Sequence, residues 1–109
     1  MPDAPGQLPS HYSPLTSLNV VNEITENLYN EDALFLFYKK PSEAKIQPIK
    51  EKFEYLSFDG NLHEAAANVF SALHKLDKLN GKIIYAEKVP ELGLGVAIND
   101  RLIKAANKI

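Results

Sequence analysis

The histidines are the first side chains to weigh for chemistry, because imidazole binds metals and transfers protons near neutral pH. They are His11, His63 and His74. His63 and His74 lie eleven residues apart on one predicted helix, about 16 Å along its axis, which is too far to share a metal ion. Both border an apolar stripe, where a histidine usually packs its ring and keeps one nitrogen in water. We therefore predict no metal site in this chain.

A glycine turn near the end of the chain resembles a phosphate-binding turn. Gly93-Leu94-Gly95 precedes a predicted helix, whose first N–H groups are free to hold an anion. The turn lacks a third glycine and does not follow the first strand, where a dinucleotide fingerprint belongs. Two interpretations stay open. We favour a tight turn with close helix–sheet packing over a weak anion site at Gly93 and Gly95.

The remaining reactive side chains form no catalytic pattern. Asp59, Asp77, Glu91 and Asp100 are scattered and suit caps, loops or helix surfaces, and no two are paired for acid–base work. No serine lies in a nucleophile elbow, and no Walker-type loop is present. The chain has no cysteine, which excludes disulfides, thiolate ligands and a cysteine nucleophile. The sequence predicts no catalytic residue.

Composition limits the class of protein further. The 109 residues suit one domain, and a net charge of −2 offers no basic field for a phosphate backbone. We therefore expect no direct nucleic-acid binding. No apolar run approaches the roughly 20 residues that cross a bilayer, and the N-terminus lacks a signal peptide's apolar core. These features predict a soluble, cytoplasmic protein that has no contact with a membrane.

The secondary structure that must position these residues alternates between strands and helices. Residues 59–77 predict the best-defined helix, with Asn61 and Glu64 as a capping box and Asn80-Gly81 as its stop. A last helix opens at the glycine turn, with an Asp100–Lys104 pair and an apolar face of Leu94, Ile98, Leu102, Ala105 and Ile109. Strands are expected at residues 18–21, 33–38, 53–58 and 82–86, a short helix at 22–29, and a loop with a short edge strand near Ile46 at 39–52.

This alternation predicts an α/β sandwich with a mainly parallel sheet and helices on both faces. Residues 1–14 hold four of the seven prolines and predict an extended linker arm, with the domain at residues 15–109. His11 and Tyr12 lie in this arm. Composition alone favours a linker whose aromatic packs on the nearest surface over a strap that reaches another domain.

Three segments together resemble the C-terminal domain of two-domain L-threonylcarbamoyladenylate synthases. Residues 5–14 are similar to its Pro-Gly…His-Tyr-x-Pro opening, residues 56–77 to its Leu-Ser…Ala-Ala…Leu-Asp pattern, and residues 93–106 to its Gly-Leu-Gly-x-Ala-Ile…Arg-Leu…Ala-Ala ending. The segments occur in the family's order and cover essentially the whole chain. One departure is His74, which stands where the family usually has arginine.

The resemblance implies a Rossmann-like three-layer α/β sandwich. The full enzymes of this family join threonine, bicarbonate and ATP, with magnesium, to give threonylcarbamoyl-adenylate for tRNA modification. That chemistry belongs to a YrdC-like catalytic domain, which is the implied partner in the same polypeptide. This chain then looks like a piece of a longer protein, holding the end of the linker and the C-terminal domain, with no cofactor of its own.

The resemblance also changes the interpretation of the arm. In these enzymes the linker passes over the catalytic cleft, so His11, Tyr12 and Pro14 are implied to form a lid that retains nucleotide or product. Gly93, Gly95 and Arg101 stay mostly structural, with an interdomain contact as the alternative for Arg101. Two other classes remain open: a stand-alone ATP- or GTP-binding domain, and an interaction module that mediates dimerisation.

Overall fold

Strands and helices alternate through residues 13–107, the part of the chain that the computed structural model describes. The elements follow in the order β1 (Ser17–Val21), a 3-10 turn (Glu26–Leu28), β2 (Ala33–Lys39), α1 (Glu43–Ile46), β3 (Phe53–Ser57), α2 (Leu62–Asp77), β4 (Ile83–Glu87) and α3 (Leu94–Asn107). The predicted linker at residues 1–12 lies outside this range. Within the described range, no helix is long and apolar enough to cross a membrane.

The four strands form one parallel sheet in the order β1-β4-β2-β3, which confirms the predicted α/β class. β2 lies inside the sheet, and its residues 33–37 are buried on both faces, as an uninterrupted apolar run predicts. β1 pairs only with β4 in the described chain, in a register that sets Ser17 opposite Ile83 and Val21 opposite Glu87. The ends of these two strands are therefore level with each other.

Two apolar cores lie on opposite faces of the sheet. The larger core joins α2 and α3 to the sheet and is centred on leucines such as Leu36, Leu73 and Leu102. The second core is aromatic, with Phe35 stacked on Tyr85 at 6.0 Å between ring centroids. On that face only α1, the 3-10 turn and their flanking segments supply the covering layer, so the third layer of the sandwich is thin.

The short elements differ from their prediction. Residues 22–29 form only the 3-10 turn. Directly after it, the Asn30 side chain accepts the Asp32 N–H in a local turn, which competes with continuation of a helix. The edge strand expected near Ile46 is wrong. Ser42 caps the N–H of Lys45 there and starts the single turn of α1, which lets Ile46 pack on the aromatic core.

The predicted start of α2 is half confirmed. The Asn61 side chain accepts the Glu64 N–H at 2.9 Å, as a capping box requires. The Glu64 carboxylate does not return to the Asn61 N–H but contacts the Ser57 hydroxyl at 2.7 Å. The Asn61 N–H donates to Ser57 Oγ instead, at 2.8 Å. At the other end, Asn80 adopts φ 60° and provides the predicted left-handed stop.

α3 confirms the Asp100–Lys104 pair, at 3.0 Å. Ile98, Leu102 and Ala105 are buried as predicted, whereas Leu94 is exposed. Gly95 is the buried residue in the first turn of the helix, which approaches the preceding loop so closely that no larger side chain fits. Ile109 lies outside the described residues.

Candidate functional site

The chain enters the fold beside the last turn of α2. The Asp77 carboxylate accepts the Leu15 N–H at 3.0 Å, and the N–H and hydroxyl of Thr16 at 2.9 and 2.6 Å. We call these three residues the entry clamp. Pro14, one residue earlier, is buried. The hydrogen bonds of the clamp connect residues that are separated by 61 and 62 positions in the sequence. They therefore fix the point at which the chain enters the domain. His11 and Tyr12 lie outside the described residues.

Asp77 was expected to be an ordinary helix-surface charge, and the sequence does hold a signal against that interpretation. A carboxylate in the last turn of a helix faces the negative end of the helix dipole, where Lys, Arg or His is favoured. Such a placement needs donors to offset it, and the entry clamp supplies them from a distant part of the chain. Which donors they are depends on the tertiary fold.

The glycine turn lies after β4 and is shaped by both of its glycines. Gly93 adopts φ +53°, which L side chains rarely take. A Cβ on Gly95 would lie 1.8 Å from the Pro90 carbonyl oxygen. The N–H groups of Gly95 and Val96 donate to the carbonyls of Leu92 and Gly93, at 2.8 and 3.2 Å. These hydrogen bonds use donors that an anion at this helix end would need.

A buried amide locks the same loop to α3. Asn99 accepts the Val89 N–H at 2.9 Å and donates to the Val89 carbonyl at 2.8 Å. Its amide also donates to the Glu91 carboxylate. Both backbone groups of Val89 are thereby satisfied in the interior. The polar residues around the glycine turn thus hold the loop in place.

Arg101 lies on the exposed side of α3, and its guanidinium stands 5.4 Å from the centre of the Phe70 ring on α2. This cation–π contact joins the two long helices. His63 is exposed on α2, and His74 is half-buried in the same helix. Among residues 13–107, no three His, Asp or Glu side chains are grouped so that they could hold a metal ion.

The predicted site residues do not come together. The entry clamp precedes β1, whereas Gly93 and Gly95 follow β4, and these two strands run parallel in level register. A five-residue strand spans roughly 13 Å between its end residues. The entry clamp and the glycine turn therefore lie at opposite ends of these strands and do not form one site.

A cavity of about 650 Å³ opens between the segments that lead into β2 and β3, and no motif predicted it. Its lining includes Glu31, Asp32 and Lys52. Two of these charges already have partners: Lys52 Nζ donates to the backbone carbonyl of Glu31 at 2.6 Å, and the Asp32 carboxylate lies 3.8 Å from Lys82 Nζ. Tyr29 also lines the cavity. Its pKa is raised, first by burial and then by the nearby Glu26 carboxylate, so the hydroxyl stays a donor, here to the Lys45 carbonyl at 2.8 Å.

The structure is a small α/β domain with a parallel sheet, and the residues that lead into its first strand are bound to the end of α2. The family model described as "Threonylcarbamoyl-AMP synthase, C-terminal domain" matches residues 1–107. The chain therefore belongs to the family of threonylcarbamoyl-AMP synthase C-terminal domains.

Curated relatives agree with this assignment. The chain is 30% identical over 107 residues to the threonylcarbamoyl-AMP synthase of Pyrococcus abyssi, covering 94% of this chain and 32% of the relative. The enzymes of Schizosaccharomyces pombe and Bacillus subtilis are 30% and 27% identical, over 100% and 96% of this chain and 30% and 32% of their own lengths. The chain thus spans about a third of the relatives it matches.

Proposed function

We propose that this chain is an accessory domain of a threonylcarbamoyl-AMP synthase and carries no catalytic residue. One observation supports this most directly. The family model covers residues 1–107, while the chain spans only 30–32% of the synthases it resembles. The catalytic machinery then belongs to the remainder of such an enzyme, a YrdC-like domain in the same polypeptide.

The proposed parent reaction joins threonine, bicarbonate and ATP into threonylcarbamoyl-adenylate and releases pyrophosphate and water, in the cytoplasm. ATP and magnesium belong to the catalytic domain. The adenylate is a mixed anhydride, which water hydrolyses. A segment that covers the cleft would exclude water and slow release of this product. We assign that task to the arm, with His11 and Tyr12 facing the cleft and Pro14 leading back into the domain.

The entry clamp supports this assignment because it gives the arm a fixed base. A strap retains a ligand only if both of its ends are held, since a free end leaves the cleft open for much of the time. Asp77 holds Leu15 and Thr16 on α2, directly after the proposed lid residues. Gly93, Gly95 and Arg101 have no part in the lid. A weak anion contact at the turn and an interdomain contact at Arg101 stay predictions.

The first test measures threonylcarbamoyl-adenylate formation from threonine, bicarbonate and ATP. The separate catalytic domain is assayed alone, with this chain added, and with this chain linked behind it. We expect no adenylate from this chain alone, and more retained product when it is linked. Adenylate made by the isolated chain would contradict the proposal, as would equal retention with and without the linked chain.

The second test addresses the lid residues in the linked protein. His11→Ala combined with Tyr12→Ala should lower retained adenylate roughly fivefold, because the cleft loses its cover. His63→Ala is the matched control: it removes an exposed histidine of α2 and should leave retention unchanged. Wild-type retention by the double variant would refute the lid, although the accessory role would stand.

A further inference from the structure

Leu15 is an apolar side chain that the fold holds out into solvent. Its side chain is 94% exposed, although its backbone N–H is bound to Asp77 and its neighbour Thr16 is bound to the same carboxylate. The backbone is already ordered by hydrogen bonds to a carboxylate, so burying the side chain would remove apolar surface from water at a reduced ordering cost.

A second exposed leucine follows the end of the same helix. Leu79 follows Asp77 by two residues and is 47% exposed. Its N–H donates to the Leu76 carbonyl at 2.9 Å, so its backbone is fixed as well. We call Leu15 and Leu79 the entry patch. Both sit where the chain enters the domain, at the end of α2.

We propose that the entry patch docks on an apolar surface of the catalytic domain that precedes this domain in the synthase. This inference rests on the proposed function, because it takes that domain as the partner. The chain accounts for 30–32% of the relatives' length, and the patch begins at the first residues of the fold. A covalently joined neighbour is present at an effective concentration of roughly millimolar, so two anchor side chains are enough to bias its position.

Position distinguishes this patch from the other exposed apolar residues. Among the described residues, the other exposed large apolar side chains lie directly after β3 or along the glycine turn and α3: Phe58, Leu92, Leu94, Val96 and Ile103. Leu92 follows β4, so it lies at the opposite end of the strands from Leu15, which precedes β1. It is 62% exposed, which makes it a control of the same type at a place where the proposal predicts no contact.

The experiment uses the two-domain synthase in which this chain follows the catalytic domain. Small-angle scattering is recorded for the wild type, for the double variant Leu15→Ser/Leu79→Ser, and for the control Leu92→Ser. A docked protein of roughly three times this chain's length should have a radius of gyration near 20 Å. We expect the double variant to exceed the wild type by about 2–4 Å, and Leu92→Ser to match the wild type. Circular dichroism should be unchanged, since all three side chains are exposed.

Several results would overturn the proposal. Identical scattering by the wild type and the double variant would show that the entry patch does not hold the domains together. Expansion caused equally by Leu92→Ser would place the contact on the α3 side. A concentration-dependent mass in sedimentation that the double variant abolishes would make a second copy the occupant. Each result leaves the adenylate-retention test of the proposed function independent, because retention depends on His11 and Tyr12.

Discussion

Thr16 and Asp77 show how one carboxylate can organise the start of a domain. Hydrogen bonds to an ionised group contribute more than those between neutral groups, about 1.5–3 kcal/mol each. The Thr16 hydroxyl approaches Asp77 to 2.6 Å and also helps to offset the unfavourable dipole at the end of α2. The clamp therefore stabilises both the entry of the chain and the helix that receives it.

Replacement of the Thr16 hydroxyl tests this contribution. Thr16→Val keeps the shape of the side chain but loses the donor, and should lower the free energy of unfolding by about 1.5–3 kcal/mol. Thr16→Ser keeps the donor and should lose much less. Urea unfolding measures both values, and hydrogen exchange of the Leu15 N–H should rise in the valine variant alone. Equal stability of the two variants would show that the hydroxyl contributes nothing.

Tyr29 makes the stability of the fold sensitive to alkaline pH. Its pKa lies above the ordinary value of 10.0, because burial and then Glu26 disfavour the phenolate. The unfolded chain ionises first as pH rises, so the contribution of Tyr29 is complete below pH 10.0 and is lost above it. Tyr29→Phe removes the hydrogen bond to the Lys45 carbonyl and should lower the free energy of unfolding by about 1 kcal/mol at neutral pH. The same variant should lose less stability than the wild type as the pH rises, because it has no phenol to ionise. Urea midpoints between pH 7 and 11 measure this, and parallel curves for the two proteins would contradict it.

At the scale of elements, α2 and the four strands follow from local sequence, and the short elements do not. The period of the apolar residues and the Asn61 cap identify α2 without any distant contact. α1 and the 3-10 turn have too few residues for a period to show. Their conformations are decided by local caps and by the aromatic core on which they pack.

The two glycines of the turn before α3 are needed for different reasons, Gly95 for space and Gly93 for backbone conformation. Gly95→Ala would place a Cβ 1.8 Å from a backbone oxygen, which forces the helix and loop apart and should cost about 3 kcal/mol. Gly93→Ala meets no atom within 4 Å but strains a left-handed residue, and should cost about 1–2 kcal/mol. Thermal unfolding compares the two. A larger loss for Gly93→Ala would show that conformation outweighs packing.

At the scale of the whole molecule, charge argues against a direct role on tRNA. Proteins that bind nucleic acid non-specifically neutralise several phosphates, with dissociation constants of roughly 10⁻⁴–10⁻⁶ M at physiological salt. A net charge of −2 does not supply that attraction. We expect no saturable binding of unmodified tRNA up to about 100 µM. Fluorescence anisotropy in low and physiological salt measures this, and salt-dependent binding in that range would refute the expectation.

The α/β class, the parallel sheet, the helices α2 and α3 and the family could all be predicted from the sequence. Apolar period, caps and the spacing of family motifs are local properties that can be read along the chain. Two features became visible only in the folded structure: Asp77 binds the residues that lead into β1, and the entry clamp lies at the opposite end of the strands from the glycine turn. Both depend on strand order and on contacts across some 60 residues. A local sequence pattern does not identify such contacts, because the contacting residues come together only when the strands and helices pack.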